Sequence, residues 1–223
     1  MNQCLLKFQT YYLQNLKKQN KMQQPKILKG FQNTNKSLLV KGETVTFGGS
    51  SFNIFELKEK DITIHNIAIS LARQPRYMGH TKYAYSIGQH CVRGAEALLL
   101  LGYIWEAIAF LFHDGGEAFT SDISTPLKRY LDEDGKLKAI EDQIDTVLAA
   151  FFGYDSHDID YELVKLVDKN IAQDEMTSLM AHQEIHAADW YWDEITTYNR
   201  YIEMFNKLKC LITYNSPTQE KAK

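Results

Sequence analysis

The chain has 223 residues, of which 44% are hydrophobic and 12% aromatic, and 25 basic and 28 acidic residues give it a net charge of −3. This composition supports a packed core and excludes a chain that is disordered throughout. Three widely spaced cysteines exclude a disulfide framework and favour a reducing compartment. No apolar run reaches the ~20 residues that a membrane span needs.

The charge is divided unevenly along the chain. Residues 1–42 carry eight lysines and no acidic residue, whereas residues 43–223 have a net charge of −11. The acidic main body argues against nucleic-acid binding as the principal function. For the basic extension three interpretations stay open: a passive tail or short helix, a mitochondrial import signal, and a partner-docking arm. We expect a cytoplasmic protein, with the mitochondrial matrix as the alternative.

A folded domain is predicted over residues 43–213, followed by a C-terminal tail at 214–223. Residues 44–47 and 52–55 flank a Gly-Ser turn cluster and predict a small β-hairpin. Helical spacing follows and predicts helices over residues 64–74, 81–101, 105–119, 137–152, 161–180 and 188–211, with a short helix that begins near Pro126. The sequence therefore predicts an all-α domain with a small N-terminal β-hairpin.

The pair His113-Asp114 is the sharpest chemical feature of the sequence. It follows the apolar segment 107–112, which carries it towards the interior, where a His-Asp pair needs partners. Both side chains are good ligands for a divalent transition metal. Glu117 lies about one helical turn later and can act on metal-bound water. The second pair, His157-Asp158, lies in a polar loop and is interpreted as a solvated loop or helix cap.

Two further residues extend this candidate site. His90 lies within a predicted helix and would, by itself, be a hydrogen-bonded core histidine. Asp168 follows an apolar helical stretch and would, by itself, be a surface acid paired with a neighbouring lysine. Spacing alone does not decide either assignment.

Other possible motifs carry less information. His182 and His186 are four residues apart and could share a helical face, but no carboxylate is placed as in a zinc-protease motif. Trp190, Tyr191 and Trp192 are consecutive and indicate packing or a subunit contact, with base stacking as a weaker alternative. Cys91 is interpreted as a small core residue.

The order His90, His113-Asp114, Asp168 resembles the H…HD…D pattern of the HD-domain metal-dependent phosphohydrolases. The chain is similar in particular to the subgroup of bacterial and phage 5'-deoxynucleotidases, from about residue 43 to 210. The similarity is carried by residues 61–68 (DITIHNIA), 76–80 (RYMGH), 85–90 (YSIGQH), 113–118 (HDGGEA) and 121–128 (SDISTPLK). Gly115-Gly116 departs from the family pattern and, because glycine is a poor helix former, predicts a loosened turn before Glu117.

The resemblance implies an HD-domain helical bundle that holds one divalent ion, such as Mn, Co, Fe, Zn or Mg. It implies that the metal ligands are His90, His113, Asp114 and Asp168. It also implies catalytic roles for Glu117 and Asp122, and substrate contacts from Arg76, His80 and Lys128, of which Arg suits a two-pronged phosphate contact. Without the resemblance, Arg76 would be a helix-capping cation, His80 a turn histidine and Lys128 a solvated residue.

These residues predict metal-dependent hydrolysis of a nucleotide phosphate ester, first of all of deoxynucleoside 5'-monophosphates. The alternatives are a (deoxy)nucleoside triphosphate triphosphohydrolase and a non-catalytic HD domain that serves as a structural subunit. The expected partner is a small-molecule nucleotide, without nucleic acid or a membrane span. Association into a homo-oligomer, or docking through residues 1–42, is also expected.

Overall fold

The structure is a computed structural model, and it describes residues 42–154, 159–180 and 190–215. Predictions for residues 1–41, for His157-Asp158, for His182 and His186 and for the C-terminal tail after residue 215 lie outside the described residues. Within the described ranges no helix combines the length and the apolar character needed to cross a membrane.

A two-stranded hairpin opens the described domain, as predicted. Strand β1 (Glu43–Val45) pairs antiparallel with β2 (Ser51–Asn53), so that Thr44 faces Phe52. The buried Phe52 packs edge-on against Phe119, with ring centroids 5.2 Å apart. The hairpin thereby contacts the segment that follows His113-Asp114.

Helices make up most of the remainder, so the predicted all-α fold with a small N-terminal hairpin is confirmed. They are α1 (Ile64–Arg73), α2 (Ile87–Leu100), α3 (Ile104–Phe112), α4 (Glu117–Thr120), α5 (Thr125–Leu131), α6 (Lys136–Phe152), α7 (Tyr161–Glu175) and α8 (Glu194–Asn215). A π-helical turn, Met176–Met180, continues α7. Gly153 ends α6 with φ +73°, as a C-cap glycine does.

Three helix predictions were wrong at their ends. The helix predicted over 81–101 begins only at Ile87, because Ser86 accepts a hydrogen bond from the Gln89 amide and caps it. The helix predicted over 105–119 ends at Phe112, and a new short helix begins at Glu117. Gly115-Gly116 lies between the two, which agrees with the weak helix propensity of glycine. The helix predicted from about residue 188 has its described start at Glu194, after residues 191–193, which are not helical.

The core forms around α2 and α3, which pack against α1, α7 and α8. All six residues from Ala107 to Phe112 are buried, as the apolar sequence of α3 predicts. Tyr201 of α8 is fully buried and its hydroxyl donates a 2.6 Å hydrogen bond to the Leu111 carbonyl. The end of α3 is therefore fixed in depth and orientation immediately before His113.

Gly94 of α2 lies directly against the ring of Phe110 of α3. A Cβ atom added at Gly94 would overlap the ring of Phe110, which is fully buried and packs on both His90 and His113. We expect Gly94→Ala to lower the free energy of unfolding by about 1–3 kcal/mol through overpacking. Denaturant unfolding measures this loss. Gly48→Ala, where the new Cβ meets only ordinary contacts, is the control and should be near neutral.

Candidate metal centre

Four side chains from three parts of the fold converge at the end of α3. His90 comes from the buried face of α2, His113 and Asp114 from the turn that ends α3, and Asp168 from α7. His90 is fully buried, whereas the other three are partly exposed. The structure thus brings together the four residues for which the sequence predicted metal binding.

The distances between the possible ligand atoms are short and similar. His90 Nε2 lies 3.2 Å from His113 Nε2 and 3.1 Å from Asp168 Oδ1. His113 Nε2 lies 3.3 Å from Asp114 Oδ2 and 3.8 Å from Asp168 Oδ1. Ligands about 2.1 Å from one ion, at tetrahedral or octahedral angles, are separated by about 3.0–3.4 Å. Three of these distances lie in this range, and two others, 3.8 Å from His113 Nε2 to Asp168 Oδ1 and 3.9 Å from His90 Nε2 to Asp114 Oδ2, lie slightly beyond it. The residues could therefore hold a single ion.

Hydrogen bonds on the far side of each imidazole fix its tautomer. His113 Nδ1 lies 2.7 Å from the Phe110 carbonyl, which can only accept, so this nitrogen carries a proton. His90 Nδ1 lies 2.7 Å from the Glu175 carboxylate and likewise donates. When both rings are neutral, the two Nε2 atoms therefore present lone pairs to each other and to two carboxylates. A cation between them resolves this repulsion, and such outer-shell hydrogen bonds are typical of metal-binding histidines.

The electrostatics of the four residues agree with a site for positive charge. Burial alone would raise the pKa of Asp168, but its hydrogen bonds to His113 and His90 lower it well below the usual range. Burial alone would lower the pKa of His113, but Asp114 and Asp168 raise it well above its usual value. The raised pKa of His113 favours its protonated form when no metal is bound, so metal binding must compete with protonation at low pH.

Two overlapping groups of described residues are close enough to hold a metal ion. One is His90, His113 and Asp168, and the other is Cys91, His113 and Asp114, each with its ligand atoms within 4.8 Å of one another. Cys91 belongs to the hydrophobic core, where the sequence placed it, and burial raises the pKa of its thiol. Since a thiol must ionise to bind a metal well, the histidines and aspartates are the better set.

Glu175 was missed by the sequence analysis. Its carboxylate is fully buried and accepts hydrogen bonds from His90 Nδ1 (2.7 Å), Tyr85 (2.7 Å), Tyr77 (2.6 Å) and Arg76 Nε (3.2 Å). Burial alone would raise its pKa, but His90, Arg76 and Tyr77 lower it to about 2. A signal was present, because Glu175 lies two helical turns after Asp168 and shares its face of α7.

A cavity of about 500 Å³ opens onto the candidate ligands. Its lining contains seven of the nine residues that the sequence singled out, namely Arg76, His80, Asp114, Glu117, Asp122, Lys128 and Asp168. His90 is buried beneath the surface, and His113 lines a second cavity of about 350 Å³ that also reaches Asp168. The proposed catalytic and substrate-binding residues therefore share one space with two of the proposed ligands.

The cations of this cavity are already engaged with carboxylates. Arg76 Nη1 lies 3.1 Å from Asp114 Oδ2, and its Nε bonds to Glu175. Lys128 Nζ lies 2.8 Å from Glu141 Oε1. His80 is exposed and its amide closes the turn Arg76–Gly79. Arg76 is thus held in place at the cavity wall by two carboxylates, whereas the charge of Lys128 is partly neutralised by Glu141.

Glu117 has the most strongly raised carboxyl pKa among the cavity residues. Burial, Asp114 and Asp122 raise its pKa to about 8, against the opposing effect of Lys128 and Arg76. A carboxyl group with a pKa near neutrality can hold or release a proton under physiological conditions. This behaviour suits an acid or base next to the reacting group.

The raised pKa of Glu117 predicts a pH dependence of stability in the metal-free protein. The pKa rises from 4.5 to about 8 on folding, so the folded state binds the extra proton between these values. The contribution of Glu117 to the free energy of unfolding is then fully present below pH 4.5 and is lost as the pH rises through about 8. The Tm of chelator-treated protein should fall over this window, and less steeply for Glu117→Gln. Glu162→Gln, at an exposed site on α7, should leave the slope unchanged.

The aromatic cluster near residue 190 lies in packing contacts. The Arg93 guanidinium lies 4.1 Å from the Trp190 ring centroid, and that of Arg200 lies 4.2 Å from Trp192. Gln89 Nε2 donates a 2.6 Å hydrogen bond to the Trp190 carbonyl. The tryptophans are therefore tied to α2 and α8 and are not among the residues that line the candidate cavity.

Comparisons with known proteins do not assign an activity. No family model matches the chain. The chain is 37% identical over 108 residues to the uncharacterized protein YfdR of Escherichia coli (strain K12). The matched region covers 48% of this chain and 57% of YfdR. The match thus spans less than two thirds of that relative. Because YfdR is itself uncharacterized, function has to be argued from the chemistry of the site.

Proposed function

We propose that the protein is a metal-dependent hydrolase of nucleotide phosphate esters, first of all of deoxynucleoside 5'-monophosphates. The observation that carries the proposal is the convergence of two imidazole lone pairs and two carboxylates at distances of 3.1–3.9 Å. The similarity to HD-domain phosphohydrolases supports the same assignment residue by residue.

A divalent ion, when bound by His90, His113, Asp114 and Asp168, would supply a Lewis acid and a water of lowered pKa. The remaining chemistry belongs to side chains. Hydrolysis forms one bond from the water oxygen to phosphorus and breaks the phosphorus bond to the ester oxygen. The water loses a proton and the leaving oxygen gains one, and Glu117 can serve as the group that holds this proton.

The residues around the cavity fit a ligand with a phosphate and a flat apolar part. Arg76 presents a guanidinium at the cavity wall next to Asp114, where it can contact phosphate oxygens. Tyr77, Met78, Ile123 and Met180 add apolar surface to the same lining. A volume of about 500 Å³ lies in the range of small-molecule sites. Phosphate beside an apolar ring describes a nucleotide.

A substrate screen tests the proposal. Purified full-length protein is incubated with nucleoside mono-, di- and triphosphates in the presence of Mn²⁺, Co²⁺, Zn²⁺ or Mg²⁺, and all products are identified. Release of inorganic phosphate from deoxynucleoside monophosphates, abolished by chelation, is the expected result. Release of tripolyphosphate would replace the nucleotidase assignment by a triphosphohydrolase. Protein without bound metal and without activity in any condition would favour a structural role.

A further inference from the structure

Gln74 connects the end of α1 to the segment that carries both proposed catalytic carboxylates. Its Nε2 donates to the Glu117 carbonyl and to Ser70 Oγ, each at 3.0 Å. Its Oε1 accepts from the Asp122 amide at 3.2 Å. The two N–H groups of the side chain and its carbonyl oxygen are thus all used, and two of the three bonds end on the backbone of residues 117–122.

A second link from α1 runs parallel to the first. Ser70 Oγ donates to the Ala118 carbonyl at 3.1 Å, one residue after the carbonyl that Gln74 holds. Ser70 also accepts from Gln74, so the two side chains form one hydrogen-bonded unit. Hydrogen bonds from the end of α1 therefore hold both the start and the end of the segment 117–122.

The backbone of Gln74 is itself fixed on both sides. Its N–H donates to the Ser70 carbonyl at 3.2 Å, and its carbonyl accepts from the Ile87 amide at 3.0 Å. Pro75 follows, and the residue before a proline is held in an extended conformation, as Gln74 is with φ −87° and ψ 122°. The side chain therefore projects from an anchored point between α1 and α2.

The segment that Gln74 contacts needs external support. Helix α4 has four residues, too few to be stable through its own hydrogen bonds. Ser121 adopts φ 67° and ψ 159°, a region that glycine alone occupies readily. A serine persists there only where its surroundings impose the conformation, and the Asp122 amide that follows is the one held by Gln74.

We propose that Gln74 is a positioning residue that fixes Glu117 and Asp122 relative to the metal ligands. An effect of Gln74 on catalysis rests on the proposed function. Its role in holding residues 117–122 follows from the hydrogen bonds alone. Gln74 acts through backbone atoms and is not among the residues that line the candidate cavity. Its removal is therefore expected to impair turnover and not substrate or metal binding.

The isosteric variant Gln74→Met removes all three hydrogen bonds and nearly preserves the side-chain volume. We expect kcat to fall roughly 10- to 100-fold, as for a displacement of about 1 Å, with KM and bound metal unchanged. Hydrogen–deuterium exchange at residues 117–122 should become faster in the same variant, with or without metal. Gln74→Glu keeps an acceptor for the Asp122 amide and should retain protection at that amide while losing the donor to Glu117.

Two further variants complete the test. Ser70→Ala removes the hydrogen bond from Ser70 to the Ala118 carbonyl and should lower kcat and speed exchange at residues 117–122 by smaller amounts. This variant also tests the inference if Gln74→Met fails to fold. Gln173→Met, at an exposed glutamine of α7, should change neither turnover nor exchange. Unchanged kcat and unchanged exchange in Gln74→Met would overturn the inference. A wild-type protein without phosphatase activity would refute the catalytic meaning, and the exchange comparison would still decide whether Gln74 holds the segment.

Discussion

Replacing Asp114 by alanine is expected to abolish both metal binding and hydrolysis. Asp114 Oδ2 lies 3.3 Å from His113 Nε2 and supplies one of two carboxylates in the proposed ligand set. Loss of an outer-shell partner alone lowers metal affinity by about 10- to 100-fold, so the loss of a ligand should exceed this. Metal content by elemental analysis and the metal-induced rise in Tm both measure the effect.

The metal-free Asp114→Ala protein should remain folded. The variant removes one of two neighbouring carboxylates, and Arg76 keeps its bond to Glu175. The Tm of the chelator-treated variant should therefore stay near that of the chelator-treated wild type, while the gain on adding metal disappears. A variant that unfolds without metal would mean that Asp114 serves the fold and not the metal.

Glu117→Gln provides the matched comparison in the same cavity. It replaces a carboxyl group by an amide of equal size and leaves the four proposed ligands in place. Activity should fall by about 10²- to 10⁴-fold with metal content unchanged. If both variants lost metal equally, the assignment of Glu117 to the proton and Asp114 to the metal would be wrong. Asp158→Ala alters the second His-Asp pair and should change neither quantity.

The sequence predicted the elements of the fold better than their ends. Apolar periodicity indicated each long helix, because burial of one face determines that pattern. The start of α2 was missed since residues 81–85 have helical spacing but are held in a loop by tertiary contacts, such as the hydrogen bond from the Lys82 amide to the Leu179 carbonyl. No local pattern reports a bond between residues so far apart in sequence.

The candidate site was predicted in its residue types but not in its connections. His90, His113, Asp114 and Asp168 were assigned through the order of a family pattern, and the structure brings them together. Glu175 and Gln74 escaped notice because each acts through partners on other elements, and a buried glutamate in a polar helix resembles a solvated one in sequence. The spacing from Asp168 places Glu175 on the same face of α7, but its role becomes visible only when its partners are known.

Glu175→Ala is expected to be the most disruptive substitution on α7. The carboxylate is fully buried and neutralises part of the charge of Arg76, so its removal leaves Arg76 Nε and three further donors without their acceptor, while Arg76 Nη1 keeps its ion pair with Asp114. Removing one partner of a buried ion pair costs about 3–5 kcal/mol. Denaturant unfolding of metal-free protein should show a loss of this size, whereas Glu162→Ala on the exposed part of α7 should change little.

Glu175→Gln separates the two consequences of this carboxylate. The amide preserves volume, and its oxygen can accept either from His90 and Tyr85, in the place of Oε1, or from Arg76 and Tyr77, in the place of Oε2. Its N–H₂ group then faces the other pair of donors and cannot accept from them. Stability should fall less than in the alanine variant, and metal affinity should fall by about 10- to 100-fold because His90 loses a charged outer partner. Titration of chelator-treated protein with Zn²⁺ or Mn²⁺ measures this directly.

The same carboxylate joins the proposed metal site to the proposed phosphate site. Glu175 contacts His90 on one side and Arg76 on the other, and Arg76 in turn pairs with Asp114. Glu175→Gln should therefore raise KM for the nucleotide as well as the Kd for metal, whereas Asp168→Asn should act chiefly on metal. If Glu175→Gln alters metal binding and leaves KM unchanged at saturating metal, Arg76 does not depend on Glu175 for its position, and the two sites are independent.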